Sequence, residues 1–350
     1  MNESIFRRFK NSFKEEEIVM KKSIAITLMI GLFLFTTAMA GTAVAEEIVI
    51  KLAHTTSIKG IKGLTGEYFK KLVDERLKGK VKVQHFHSGQ LYSDATKAIQ
   101  ACELGAIQMI APTTSKYTGE FPKLQVFDLP FLFSSGDKML AAMQSPDIGG
   151  KLFADLEKKN LKMVGLWGTG FRQFFNRKHP IKTMDDFKGL KFRIQASKAY
   201  EEFYKVAGAN SIVMPMTEVY QALQQGIIDG EDQHWNSFGS SKHWEVAKYA
   251  TQCNYTYTGY LVCMNKKFYD GLPADIRTEL DKILAEVQEW NWKTVDEKVE
   301  YFVAEGRKQG MQIYDLPADE LARWKVKTRP VIEMYEPIVG KDIMDAIGKL

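Results

Sequence analysis

Glu47–Ile110 reads EIVIKLAHTTSIKGIKGLTGEYFKKLVDERLKGKVKVQHFHSGQLYSDATKAIQACELGAIQMI. Its first seven residues, EIVIKLA, alternate apolar and polar side chains, the period of a half-buried strand. A polar loop, HTTSIKGIKG, follows. Leu64, Tyr68, Leu72 and Val73 then keep the spacing of one helix face across residues 64–77. Val81–Phe86 (VKVQHF) alternates again. Asp94–Leu104 carries a second helical pattern that Gly105 closes, and Ile107–Ile110 is a third short strand. This β-α-β-α-β rhythm predicts an α/β fold with a parallel sheet.

The alternation continues downstream. A Phe/Pro-rich segment, FPKLQVFDLPFLF, precedes a helix from about Asp137, and Met163–Trp167 reads as a strand. Ala199–Val206 is helical up to Gly208, Ser211–Met214 is a short strand, and Thr217–Gln225 is a helix with Thr217 as its expected N-cap. Tyr255–Met264 is strand-like. Residues 274–305 contain no Gly or Pro and keep helical spacing with a phase change near Trp290. Unbroken, that helix would be about 48 Å long. It either breaks near Trp290 or crosses two lobes. No low-complexity linker and no internal repeat is present, so two halves would be tied by several crossings.

The chain has 350 residues, 45% hydrophobic and 26% charged, with a net charge of +5. That mild charge excludes a general polyanion surface. From Met20 the sequence is MKKSIAITLMIGLFLFTTAMAGTAVAEE: a basic start at Lys21-Lys22, an apolar run Ile24–Phe35, and a small-x-small site Ala43-Val44-Ala45. This is the pattern of a secretory signal peptide within an upstream segment 1–45, giving an exported, periplasmic chain from about Glu46. Three cysteines, Cys102, Cys253 and Cys263, are an odd number at wide spacing. They read as buried free thiols, with a Cys253–Cys263 pair as the alternative.

Enzyme signatures are weak. GTGFRQ lacks the third glycine of a dinucleotide loop, and no HExxH, GxSxG or P-loop occurs. His85 and His87 share a strand face without a third ligand nearby in sequence, so they read as exposed or hydrogen-bonded histidines before a metal pair. Asp185-Asp186 is a helix-start signal. Trp235 and Trp244 are equally consistent with a pocket wall and with core.

Gly170–Ile194, GFRQFFNRKHPIKTMDDFKGLKFRI, holds seven Lys or Arg and two acids. Arg172 and Arg193 sit inside its two apolar runs. In LKFRI, Leu190, Phe192 and Ile194 share one face, and Lys191 and Arg193 the other. A cation in a half-buried strand needs water or an anion. Its guanidinium can grip one carboxylate with two parallel hydrogen bonds. An internal Asp or Glu competes with an external carboxylate for that role.

The chain resembles the DctP-type extracytoplasmic solute receptors of TRAP transporters, in their C4-dicarboxylate branch. The resemblance covers nearly all of the mature chain and rests on KLAHTTSIKGIKG, SGQLYSDATKAIQACELGAIQMIAPTTSKY, VFDLPFLF, GFRQFFNRKHPIKTMDDFKGLKFRIQ, MPMTEVYQALQQGIIDGEDQ and NKKFYDGLPADIR. It implies a two-lobed periplasmic binding protein fold with a long helix crossing both lobes. Lobe 1 would hold 46–170 and about 259–298, and lobe 2 would hold 171–258 and about 299–350. It further implies a cleft in which Arg193 is the main carboxylate anchor and Arg172 a second cation. Gln233 replaces the usual Asn of the DGxEN motif. Lys62, Thr113 and Ser115 border the cleft from the first lobe, and Met216 and Trp235 from the second.

The implied function is capture of an organic acid, best a C4-dicarboxylate, for a TRAP permease of small and large membrane subunits, with no catalysis, cofactor, metal or nucleic acid. A 2-oxo, aromatic or sugar acid is the alternative ligand. A periplasmic sensor subunit and an exported enzyme are the alternative roles.

Overall fold

The computed structural model describes residues 19–23 and 47–350. Val19–Ser23 is helical and exposed. The apolar core and cleavage site expected for the signal segment lie outside the described residues. Among the described residues, no helix is long and apolar enough to cross a membrane.

The opening rhythm folds as strand β1 (Ile48–Ala53), helix α1 (Ile61–Arg76), β2 (Val81–Phe86), α2 (Ala95–Glu103) and β3 (Met109–Ile110). The Asp94 side chain caps α2 by accepting from Thr96 N at 2.8 Å. β1 pairs in parallel with both β2 and β3. The sheet is not purely parallel, however. After α3 (Gly136–Gln144), β4 (Leu161–Trp167) joins its edge through β10 (Tyr260–Asn265), which runs antiparallel to both β3 and β4. The spatial order is β2-β1-β3-β10-β4. The opening 64 residues could not show this, because β10 arrives about 150 residues later.

A second sheet has the order β11-β9-β5-β8-β6-β7. It comprises β5 (Phe171–Asn176), β6 (Lys191–Ile194), β7 (Asn210–Val213), β8 (Gly230–His234), β9 (Tyr249–Tyr257) and β11 (Gln312–Asp315). Helices α4 (Lys198–Ala207), α5 (Val219–Gln225) and α6 (Trp235–Ser240) belong to this half. Neighbouring Phe174 and Phe175 point to opposite faces of β5. Phe174 enters a cluster with Phe187, Phe192, Phe203 and Trp324, and Phe175 one with Trp235, Phe238 and Phe302. Each lobe is thus a sheet between two apolar layers. Asp186 starts a short turn by accepting from Thr183 N at 2.8 Å, as its sequence position suggests. Thr217 is not an N-cap: α5 starts at Val219 after a 3₁₀ turn, and the Thr217 hydroxyl donates to Ser93 O at 3.1 Å.

Two crossings link the sheets, at Gly168–Gly170 between β4 and β5 and at Thr258–Gly259 between β9 and β10. They are tied together where the Thr169 hydroxyl meets Thr258 O. After α7 (Lys266–Asp270), helix α8 (Ala274–Lys308) runs unbroken for 35 residues, about 52 Å. Leu280, Ile283 and Val287 pack in the inner layer of the first lobe, and Phe302 in the second. Asn291, midway, holds Gly168 N at 2.5 Å and donates to the Thr65 hydroxyl at 3.0 Å. The helix does not break at Trp290, and it passes from the first lobe to the second between Val295 and Val299.

The segment expected to belong wholly to the second lobe, 299–350, divides. β11 pairs with β9 and Trp324 of α9 (Ala318–Val339) packs in the second lobe. Val331, Tyr335 and Val339, with Ile343 and Ile347 of α10 (Lys341–Ile347), join the outer cluster of the first lobe beside Phe127 and Leu152. Their apolar spacing is ordinary helix patterning, and only the packing shows which lobe it serves. All three cysteines are buried free thiols.

Candidate ligand-binding cleft

Between the lobes lies a small polar cavity at the C-terminal ends of parallel strands from both sheets. Thr55 and Thr56 follow β1, and Pro112, Thr113 and Lys116 follow β3. Arg193 and Gln195 end β6, Pro215 and Met216 follow β7, and Gln233 and His234 end β8. Lys62 enters from the first turn of α1, and Tyr260 from the crossing into β10. Strand ends at such a switch between lobes are the usual ligand position of α/β folds.

Three cations converge here. Arg193 is 1% exposed; its Nε donates to Met214 O at 2.9 Å, and its Nη1 is buried without a partner. Lys62 is 4% exposed, with Nζ 3.8 Å from the centre of the Tyr260 ring. Lys116 lines the same cavity. Among the described residues none of the three has an ion-pair partner. Burial, reinforced by Lys116, pushes the Lys62 ammonium down to about 7. Burial and then Arg193 push Lys116 down to about 8. Burial also lowers Arg193. Desolvation and like charge outweigh the pull of Asp94 on Lys116 and of Glu231 and Asp232 on Arg193, and those last two acids are already paired with His243 and Arg172.

Arg172 is different. Burial opposes its charge, but Asp232 outweighs that and raises its pKa. Its Nη2 donates to Asp232 Oδ1 at 2.8 Å and its Nε to Oδ2 at 3.3 Å, with both side chains fully buried. The anion awaiting Arg172 is thus part of the protein. One donor, Nη1, is left without a partner.

Of the residues singled out by sequence, the structure brings Arg193, Lys62, Gln233, Thr113 and Met216 together in the cavity wall. Arg172, Ser115 and Trp235 lie behind it. Ser115 donates to Asp128 at 2.5 Å. Trp235 is core: its Nε1 donates to Gln252 at 2.9 Å and its ring meets Phe175 edge to face. Lys116, Thr56, Gln195, His234 and Tyr260 were not anticipated. A signal for Lys116 existed. Thr114–Tyr117 is a 3₁₀ turn, and three residues per turn put positions 113 and 116 on one side and turn 115 inward.

The cleft is nearly shut. The Thr113 hydroxyl donates across it to Gln195 Oε1 at 2.5 Å. The room left for the centre of a water molecule is about 30 Å³. A larger cavity, about 680 Å³ by the same measure, lies between β4, α8 and the segment 143–157. Its cation, Lys162, is already paired with Glu157 at 2.7 Å, so it offers an anion nothing comparable. His85 donates or accepts at Glu67 and His54. Among the described residues no group of three His, Cys, Asp or Glu is placed to hold a metal.

The chain is 34% identical over 321 residues to the C4-dicarboxylate-binding periplasmic protein DctP of Rhodobacter capsulatus, covering 91% of this chain and 96% of that one. It is 32% identical to the C4-dicarboxylate-binding protein DctB of Bacillus subtilis, covering 87% of each. The fold matches a TRAP periplasmic solute-binding protein of Sulfurospirillum deleyianum solved with bound succinate. That match has a TM-score of 0.83 at 31% identity and covers 86% of this chain and 98% of that one. The sugar acid binding protein DctPAm of Advenella mimigardefordensis, solved with galactonate, also superposes at TM-score 0.83, with 26% identity over 86% of this chain and 96% of that one. The profile of the family described as bacterial extracellular solute-binding protein, family 7, matches residues 52–337. Coverage of that extent, on a two-lobed fold, places the chain in family 7 of the bacterial extracellular solute-binding proteins, the DctP family.

Proposed function

We propose that this protein is a non-catalytic periplasmic receptor that binds a C4-dicarboxylate and presents it to a TRAP permease of one small and one large membrane subunit. The observation that carries the reading is the set of three cations lining the cleft without a salt-bridge partner among the described residues, buried Lys62 and half-buried Lys116 from one lobe and buried Arg193 from the other. A diacid spanning the cleft has one carboxylate for the Arg193 fork and one for the two lysines. Contacts to both lobes favour the closed state over the open one, which is what drives hinge closure. The hinge is the pair of crossings at 168–170 and 258–259, with lobe 1 holding 46–170 and about 259–298 and lobe 2 most of the remainder.

Arg172 backs the site: its ion pair with Asp232 ties β5 to β8 behind the cleft. Ser115 and Trp235 support the wall from behind. Gln233 and Met216, linked by a 3.4 Å contact, close the second-lobe side. The amides and hydroxyls of Gln233, Gln195, Thr113 and Thr56 favour a second reading, a hydroxylated monoacid such as a sugar acid. A thermal-shift panel of succinate, malate, fumarate, 2-oxo acids, aromatic acids and sugar acids decides between them. Stabilisation by C4 diacids is expected, and stabilisation by monoacids alone would overturn the dicarboxylate assignment. N-terminal sequencing of exported protein is expected to begin near Glu46.

A further inference from the structure

Four side chains form an unbroken hydrogen-bond chain from the protein surface to the cleft. Glu67 Oε1 lies 2.6 Å from His85 Nδ1. His85 Nε2 lies 2.7 Å from His54 Nε2, and His54 Nδ1 lies 3.2 Å from the Thr56 hydroxyl. Glu67 is at the solvent end, with its side chain 47% exposed, while the His85 side chain is 2% exposed. Thr56 lines the cavity beside Lys62. The His85 ring is held closely: a Cβ on Gly66 of α1 would stand 2.6 Å from its Cε1 and Nε2, so glycine is required there for the ring to reach His54.

Only one hydrogen fits between two imidazole nitrogens, so the direction of the whole chain is set as a unit. A carboxylate accepts, so His85 Nδ1 carries hydrogen. With neutral His85, His54 Nε2–H donates to His85. His54 Nδ1 then accepts from the Thr56 hydroxyl, which turns its lone pairs toward the cleft. With one more proton the chain reverses. His85 Nε2–H donates to His54 Nε2, His54 Nδ1–H donates to Thr56, and the Thr56 hydroxyl hydrogen is free to point at a ligand oxygen. The balance is one proton gained. It enters at the Thr56 end as the His54 Nε2 proton passes to His85, and the new charge rests on His85 beside Glu67. His54 stays neutral throughout.

We propose that Thr56 is a specificity-determining residue for a ligand carboxylate, and that Glu67, His85 and His54 are positioning residues that switch it from acceptor to donor when one proton is taken up. This deepens the organic-acid reading and rests on it for the ligand. The charged and titratable surroundings fit the scheme. His54 is held well below its ordinary pKa by burial and by Lys62, which keeps it neutral. His85 is lowered by burial against the opposing pull of Glu67; His87, just after β2, and Lys70 on α1 also act on it. Lys62, Lys116 and Arg193 line the cavity with Thr56.

The test reads the histidine tautomers by nitrogen-15 NMR of the ligand-free protein from pH 8 to pH 5, with His54→Gln and His85→Gln for assignment. The expected result is that His54 changes from Nε2–H to Nδ1–H at the midpoint where His85 becomes charged. Glu67→Gln, at an exposed position, is expected to lower that midpoint. A His54 tautomer that is constant while His85 titrates, or a His54 that itself becomes charged, overturns the relay whatever the ligand. Calorimetry with succinate then tests the ligand end. Thr56→Val is expected to weaken binding about tenfold at pH 5.5 and less than about threefold at pH 8. An equal loss at both pH values overturns the donor switch, whereas no succinate binding by the parent protein would refute the dicarboxylate reading and leave the tautomer result standing.

Discussion

Arg193 and Arg172 lie in one sheet, on β6 and β5 either side of β8, yet replacing each by methionine is expected to have opposite consequences. Arg172 and Asp232 form a fully buried bidentate pair. Removing the arginine strands a buried carboxylate, which costs about 3–5 kcal/mol of folding stability. Arg193 has no such partner. Its loss removes one hydrogen bond to Met214 O, worth about 1 kcal/mol. It also removes a cation whose burial outweighs the pull of nearby Glu231 and Asp232, so that its charge opposes folding on balance. The ligand-free Arg193→Met protein should therefore unfold at the parent's urea midpoint or above it, while Arg172→Met unfolds well below. Ligand binding reverses the order of importance. Losing one partner of a desolvated charge pair costs about 2–5 kcal/mol, or about 30- to 4,000-fold in affinity. Arg193→Lys should recover little of it, because an ammonium cannot offer two parallel donors. The assays are urea unfolding without ligand, and calorimetry with the organic acid that gives the largest thermal shift. An Arg193→Met protein destabilised as much as Arg172→Met, or one that binds within about threefold of the parent, would show that Arg193 is structural.

Binding should take up protons. Lys62 and Lys116, lowered to about 7 and about 8 from the ordinary 10.5, are largely or partly neutral in the free protein at pH 8. An anion restores their charge, so affinity falls as pH rises through 7–9. Calorimetry in buffers of different ionisation enthalpy measures the uptake, and Lys62→Met should remove the part centred near pH 7. The sign for stability is opposite. Between about pH 7 and 10 the unfolded chain holds more protons than the free folded protein, so ligand-free stability gains from these two groups as pH rises. Gly239 of α6 lies under the Phe302 ring of α8, which a Cβ would strike; Gly239→Ala should cost about 1–3 kcal/mol of stability in urea unfolding. Unchanged stability would show that the contact between the long helix and the second lobe is slack.

Much of this protein is local in origin and was legible as such. Strand alternation, the helix ends at Gly105, Gly208 and Gln225 and the uninterrupted 274–305 segment are properties of a few consecutive residues, and they reappear almost in place as β1, β2, α2, α4, α5 and α8. The burial of Arg193 was not legible, because alternation in LKFRI puts it on the face of Lys191, which is exposed while Arg193 is buried. What only the tertiary structure decided are relations between distant residues. The sequence held 39 Asp and Glu after the signal segment as possible partners for two arginines. It could not show that Asp232, 60 positions from Arg172, sits across the β5–β8 ladder while Glu231, beside Arg193 on β8, pairs with His243 instead. Equally, a single β10 strand returning between β3 and β4 made the first sheet mixed. A 3₁₀ turn of four residues brought Lys116 into the cleft in place of Ser115. The physical reason is the same in each case: periodicity fixes which way a side chain leaves its own element, but long-range strand pairing fixes what it meets there.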